Sequence, residues 1–178
     1  MSFRRCVRRN VPCRNPRKRV LCGAALLLLA GCGGSGGAKE QTVRGSGYRF
    51  SAPADWKVKR DQRAVEVSRG VEVVSVTRYR LLRAYRPALW DHVVPELDRA
   101  AAGVAKQQKA RLAASRTTTV SCRRARSYAI AYDREGRSLV ERLTFVLRGK
   151  TEYYLLCRYE SGGDTGACDR LLATFTLA

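Results

Sequence analysis

The sequence predicts an α+β domain: a mostly antiparallel sheet with one long mid-chain helix and a short C-terminal helix packed on it. Three observations predict this class. Alternating, β-branched runs occur on both sides of the chain centre, an amphipathic helical period interrupts them at residues 95–112, and a second helical spacing returns after Asp164. The chain has 178 residues and a formal net charge of +20, which fits one small domain with an unusually basic end. Eight basic residues and no acid lie between Met1 and Arg19, so the remainder carries +12. A hydrophobic content of 45% excludes disorder throughout, and the length excludes a multidomain enzyme.

The first ordered stretch, Tyr48 to Trp56, reads as a short strand, a turn at Pro53 and a second strand opening at Trp56. Residues 65–68 and 71–82 follow as two strands joined by Arg69-Gly70, the second β-branched at Val71, Val73, Val74, Val76 and Thr77. The helix is expected to begin at Pro95, because an interior proline removes a backbone bond and clashes, with Leu89 to Val94 left as a turn or a separate short helix. Its apolar stripe is Leu97, Ala101, Val104 and Leu112. Three strands then form a meander, residues 125–132, 138–147 and 151–159, with turns at Asp133-Arg134-Glu135-Gly136 and at Gly149-Lys150. In the middle strand Leu139, Leu143, Phe145 and Leu147 share one face, with Arg142 and Thr144 on the other. The last helix is expected to be capped by Asp164 and to carry Cys168, Leu171 and Leu172, before Phe175-Thr176-Leu177 closes the chain.

The string from Tyr48 to Trp56, with its aromatic-Ala-Pro-x-x-Trp core, together with the mid-chain helix, the hairpins and the final apolar helix plus Phe175, resembles the PsbP/LpqN-like superfamily. That superfamily includes the photosystem extrinsic subunit PsbP, a nuclear-import factor and many actinobacterial lipoproteins. The resemblance implies a non-catalytic binding or assembly module, with no catalytic residue to carry over and no cofactor.

Residues 1–31 read as an export signal: a long basic n-region, an apolar stretch from Val20 to Leu29, then small residues before a cysteine. Leu29-Ala30-Gly31-Cys32 resembles the bacterial lipobox, which makes Cys32 the expected lipidation site, with diacylglycerol and palmitate as its lipids. Arg4-Arg5 and Arg8-Arg9 weakly match a twin-arginine signal, without its flanking pattern. Residues 32–43, rich in Gly and Ser, are expected to be a tether, and residues 44–178 the folded domain. The expected location is the extracytoplasmic face of the cell membrane, where one acyl chain holds weakly and two hold stably.

An exported compartment permits disulfides, and a bridge between Cys157 at a strand end and Cys168 in the next helix would pin that helix to the sheet. Cys122 is then expected to be a buried small hydrophobe, with a reactive or intermolecular thiol as the alternative. No Cys or His pair has the spacing of a metal site. His92, beside Asp91, is the sole histidine and the only foothold for a small envelope hydrolase; no nucleophile motif accompanies it.

The densest stretch runs from Arg78 to Arg86, with Arg78, Arg80, Arg83 and Arg86 interleaved with Tyr79 and Tyr85; Arg123, Arg124 and Arg126 make a second cluster. Guanidinium forks bind phosphates and carboxylates in pairs. On the extracytoplasmic side the expected polyanions are anionic lipid, phosphate-bearing wall polymer or an acidic envelope protein, and no nucleic acid is expected. The competing reading is a passive structural lipoprotein whose solvated surface is Arg-rich throughout, since 28 of the 35 basic residues are arginine.

Overall fold

The structure, a computed structural model, describes residues 39–178. The expected signal and Cys32 lie outside the described residues. The chain forms β1 (Glu40–Gly45), β2 (Tyr48–Pro53), β3 (Lys57–Arg60), β4 (Ala64–Arg69), β5 (Glu72–Tyr85), a single 3-10 turn (Pro87–Leu89), α1 (Trp90–Gln107), β6 (Arg111–Val120), β7 (Arg123–Arg134), β8 (Arg137–Glu160), α2 (Gly166–Thr174) and β9 (Thr176–Leu177). All strand pairs are antiparallel. One sheet has the order β1-β2-β9 and the other β3-β4-β5-β8-β7-β6.

The 24-residue extended run of β8 doubles back at Gly149, whose φ of +55° is cheap only for glycine. Residues 137–146 pair with β7 and residues 149–158 with β5. The two ends meet, with the Ser161 N–H donating to the Ser138 carbonyl at 2.8 Å and Arg137 ion-paired to Glu160 at 2.6 Å. The expected hairpin at Gly149-Lys150 is therefore present. The β7–β8 turn places Glu135 (φ 52°) and Gly136 (φ 73°) in the left-handed region, the two-residue turn that matches strand twist.

The large sheet is covered on both faces. On one, Leu97, Ala101 and Ala105 of α1 pack on Tyr128, Ile130, Leu143 and Phe145. On the other, the small sheet and α2 bring Val43, Phe50, Leu171 and Phe175 against Val67, Val74, Val146 and Leu155. Each such side chain contributes about 1.5–3 kcal/mol on burial. Double coverage explains why Thr144, on the face opposite Leu143 and Phe145 as expected, is also buried and donates to Ser127 Oγ at 3.0 Å.

Five local expectations are corrected. Residues 40–43, expected in the tether, belong to β1, because Val43 is an inward-facing core residue and β2 offers a partner strand from Tyr48 to Pro53. Helix α1 starts at Trp90, not Pro95: burial of Trp90 against the sheet outweighs the single bond that Pro95 cannot donate to the Asp91 carbonyl. It ends at Gln107, where Lys109 turns left-handed (φ 52°), so Leu112 lies exposed in β6 and not on the helical stripe. Cys122 is exposed in the β6–β7 turn with φ 57°, not buried, and its sulfur is not a free thiol. The N-cap position of α2 is Thr165, not the expected Asp164; Asp164, one residue earlier, still has its Oδ1 accept from the N–H of Gly166, the first helical residue, at 2.8 Å, and Thr165 Oγ1 donates to Asp169 Oδ2 at 2.8 Å.

Candidate anion-binding end of the domain

Strand alternation puts Arg78 and Arg80 on one face of β5, in line with the core residues Val74 and Val76. Where the small sheet stops, at the Ser46-Gly47 turn, that face becomes open. There Arg78 donates to Ser46 Oγ, and a cleft of about 610 Å³ is lined by Gln62, Arg63, Arg78, Tyr79, Arg80, Lys150 and Thr151. Four of those residues are cationic and none is acidic. The Nε of Arg78 is buried and has no hydrogen-bond partner. The nearby Asp61 makes no ion pair with these cations and acts on the Arg63 guanidinium only through space. Its Oδ1 accepts from the backbone N–H groups of Arg63 and Ala64, both at 2.7 Å, and these bonds hold its carboxyl below the usual range.

Basic side chains continue around the same turn. Arg60 donates to the Arg44 carbonyl, and Arg49 Nε donates to Thr176 Oγ1 at 3.1 Å. Arg148 holds the carbonyl oxygen of Ala178, whose N–H in turn donates to the Gly47 carbonyl at 3.0 Å. Between these groups Tyr48 is buried, which pushes its hydroxyl up to about 12 against the lowering pull of Arg60 and Arg78; it donates to the Val76 carbonyl at 2.9 Å.

Among the described residues, Arg44, Arg49, Arg60, Arg63, Arg78, Arg80 and Lys150 form no ion pair with a carboxylate; the pairs involve other arginines. Several of these pairs lie toward the opposite ends of the strands: Arg69 with Asp55 (3.1 Å) and Glu72 (3.0 Å), Arg137 with Glu160 (2.6 Å), and Arg170 with Glu40 (2.9 Å). Ion pairs are thus made near the start of β1, and none is made by the cations around the β1–β2 turn.

The structure divides the sequence-predicted arginines. Arg78 and Arg80 join Arg63 of the β3–β4 turn and Lys150 of β8, which sequence reading missed because they come from elsewhere in the chain and carry no local pattern. Arg83 and Arg86 are exposed beyond a register shift between Arg80 and Tyr85. Arg123 and Arg124 flank the partly buried Tyr85, whose hydroxyl burial raises against the pull of both, and Arg124 lies over the Trp90 ring at 5.6 Å. Arg126 is committed to the fold. Its side chain is only 16% exposed, and it pairs with Asp98 at 3.1 Å, bonds Ser115 Oγ at 3.1 Å and lies over the Tyr128 ring at 5.5 Å.

Cys157 and Cys168 are joined by a disulfide with a Cα separation of 5.5 Å, tying β8 to α2. His92 is exposed on the first turn of α1, and no bond from it to a nucleophile is present among the described residues. Glu141, a carboxylate missed by sequence reading, is buried but accepts from Tyr132 (2.8 Å) and Gln108 (3.0 Å), with Arg158 at 3.7 Å. Its partners make it a structural group. Among the described residues no cluster of His, Cys, Asp and Glu has the arrangement to hold a metal, and no helix is long and apolar enough to cross a membrane.

No family model and no curated protein matches the sequence. Solved structures do. Cyanobacterial PsbP (CyanoP) from Synechocystis sp. PCC 6803 aligns over 84% of this chain and 99% of its own, with 16% identity and a TM-score of 0.54. A protein from Bacteroides thetaiotaomicron VPI-5482 aligns over 79% of this chain at 12% identity and a TM-score of 0.57; the chain spans about half of that protein's length, 48%. LpqN of Mycobacterium tuberculosis, described as involved in cell envelope biogenesis, aligns over 79% of this chain and 91% of its own at 9% identity, with a TM-score of 0.45. At such identities the likeness to PsbP concerns architecture alone, and the chain has the α+β, mostly antiparallel fold of a PsbP-like domain.

Proposed function

We propose that the chain is a lipid-anchored, extracytoplasmic binding module that holds an anionic partner at its basic end. The observation that carries this reading is the set of seven cationic side chains around the β1–β2 turn that no described carboxylate pairs with. A domain with 15 acidic residues has enough carboxylates to neutralise such a cluster, so leaving it bare costs self-repulsion that a bound polyanion offsets. The Leu29-Ala30-Gly31-Cys32 string supports the anchor: a diacylglyceryl thioether on Cys32 holds the module at the membrane, and residues 33–39 separate it from β1.

The test is fractionation of cells expressing the full chain while fed a labelled fatty acid. The wild type is expected in the membrane fraction, labelled; Cys32→Ala is expected to lose the label and leave that fraction. Label retained in the Cys32→Ala variant overturns the anchor.

A further inference from the structure

The register of β5 against β8 breaks between Arg80 and Tyr85: Arg80 pairs with Thr151 and Tyr85 with Gly149, so residues 81–84 stand out of the ladder. Leu82, in that protrusion, is 99% exposed, the most exposed large apolar side chain among the described residues, and Tyr79 beside the cleft is 45% exposed. A scattered surface leucine needs no explanation. This one differs in its surroundings, because Arg80 and Arg83 flank it in sequence and the cleft cations Arg63, Arg78 and Lys150 stand on the neighbouring stretch.

We infer that this end is a bilayer-contact tip for an anionic lipid surface. Leu82 and Tyr79 enter the headgroup layer while Arg63, Arg78, Arg80, Arg83 and Lys150 take lipid phosphates. The inference rests on the anchored-module reading and names its anionic partner. A soluble phosphate polymer satisfies the cations but gives a fully exposed leucine nothing; a membrane interface satisfies both. Aromatic and aliphatic side chains partition into the interfacial layer, and each basic residue held near an anionic surface contributes about 1 kcal/mol, screened by salt. Among the described residues none of Arg63, Arg78, Arg80, Arg83 and Lys150 is in an ion pair.

The chain path is compatible with one bilayer receiving both anchor and tip. Chain entry at Glu40 and the Ser46-Gly47 turn lie at opposite ends of β1, about 20 Å apart by strand rise. The seven residues 33–39 have a root-mean-square reach of about 15 Å. In the inferred arrangement the domain lies along the membrane, held at one end by lipid and at the other by charge and Leu82.

The experiment places the full chain carrying Leu82→Trp in vesicles of phosphatidylcholine alone or with phosphatidylglycerol, and measures quenching by brominated acyl chains. The native Trp56 and Trp90 are 6% and 4% exposed, so the introduced indole dominates the change. Expected are a blue shift and loss of most of the new emission in anionic vesicles, neither in neutral ones, and reversal by high salt. Reversing the exposed charges with Arg80→Glu, Arg83→Glu and Lys150→Glu, none of which packs in the core, is expected to abolish the quenching. Quenching equal in both vesicle types overturns the inference. So does quenching abolished by a soluble poly(glycerol phosphate) added outside the vesicles, which would make the polymer the partner. If the chain sediments with both vesicle types but the tip stays unquenched, the inference fails and the anchored-module reading stands; if it sediments with neither, both fail.

Discussion

The hydroxyl of Tyr128 in β7 donates to Oδ1 of Asp98 in α1 at 2.6 Å, and Arg126 reaches the same oxygen at 3.1 Å. One carboxylate thereby ties the helix to the sheet. The Tyr128 hydrogen bond and the Arg126 charge hold the Asp98 carboxyl below its usual range, against partial burial. A depressed carboxylate contributes stability that is full above its unfolded pKa, near 4, and is lost as pH falls through the lower folded value. Urea unfolding of Asp98→Asn is expected to show a loss of about 1–3 kcal/mol at neutral pH that shrinks toward zero in strong acid. A loss that stays constant across pH would refute the linkage. Tyr128→Phe, which leaves the ion pair, is expected to cost about 1 kcal/mol.

Gly45 is required by the Tyr48 ring. A Cβ built on Gly45 overlaps the end of that ring, which is buried and bonded to the Val76 carbonyl, so it cannot give way cheaply. Gly45→Ala is expected to destabilise the domain by about 1–3 kcal/mol, the usual cost of overpacking. The double variant with Tyr48→Ala should show strong non-additivity in a denaturant cycle, since the clash disappears with the ring.

Joining Cys157 to Cys168 closes a loop with a sequence separation of 11. In the chain-entropy picture this stabilises the fold by about 3 kcal/mol. Calorimetry of Cys157→Ser/Cys168→Ser is expected to show a correspondingly lowered midpoint, with α2 the first element to lose amide protection. An unchanged midpoint would mean that α2 is held by Leu171 and Phe175 alone.

Glu152 opposes Tyr79 in the β5–β8 ladder, and burial raises its carboxyl above the usual range with no compensating charge. A raised carboxylate pKa means that ionisation costs folding free energy: stability falls as pH rises through the unfolded value, and the penalty is constant above the folded one. Glu152→Gln is expected to raise the unfolding midpoint at neutral pH and to match the wild type in acid, where both side chains are uncharged. A destabilised variant at neutral pH would show that Glu152 has a favourable partner.

The elements that were legible in the sequence are those whose side chains report their surroundings. Val73, Val74 and Val76 announce a central strand, and Leu97 and Ala101 a helix resting on a sheet. Strand β6 is illegible because an edge strand whose residues are almost all exposed, with Val120 alone in the core, has no inward apolar row to betray it. β1 was hidden by its polar neighbours, with Val43 alone in the core. The start of α1 is not legible locally because Pro95 points to a later start, and the burial of Trp90 that favours the earlier one is supplied only by the tertiary fold. The candidate site was half visible. Arg78 and Arg80 stand in a conspicuous run, whereas Arg63 is brought to the cleft by the Arg78 N–H bond to its carbonyl and Lys150 by the turn beside Thr151, contacts that a local pattern does not encode. Arg126, part of a conspicuous triplet, is consumed by Asp98 on a helix 28 residues away in sequence.

The seven cations gathered around the β1–β2 turn, none in an ion pair, concentrate positive charge at one end of the domain. In the field above an anionic layer such a body experiences a torque before it experiences a contact. It arrives already turned, so fewer encounters are wasted on the wrong face. Dissolved salt then acts mainly on the rate of capture, by flattening the field that does the turning, and much less on the rate at which a docked domain lets go.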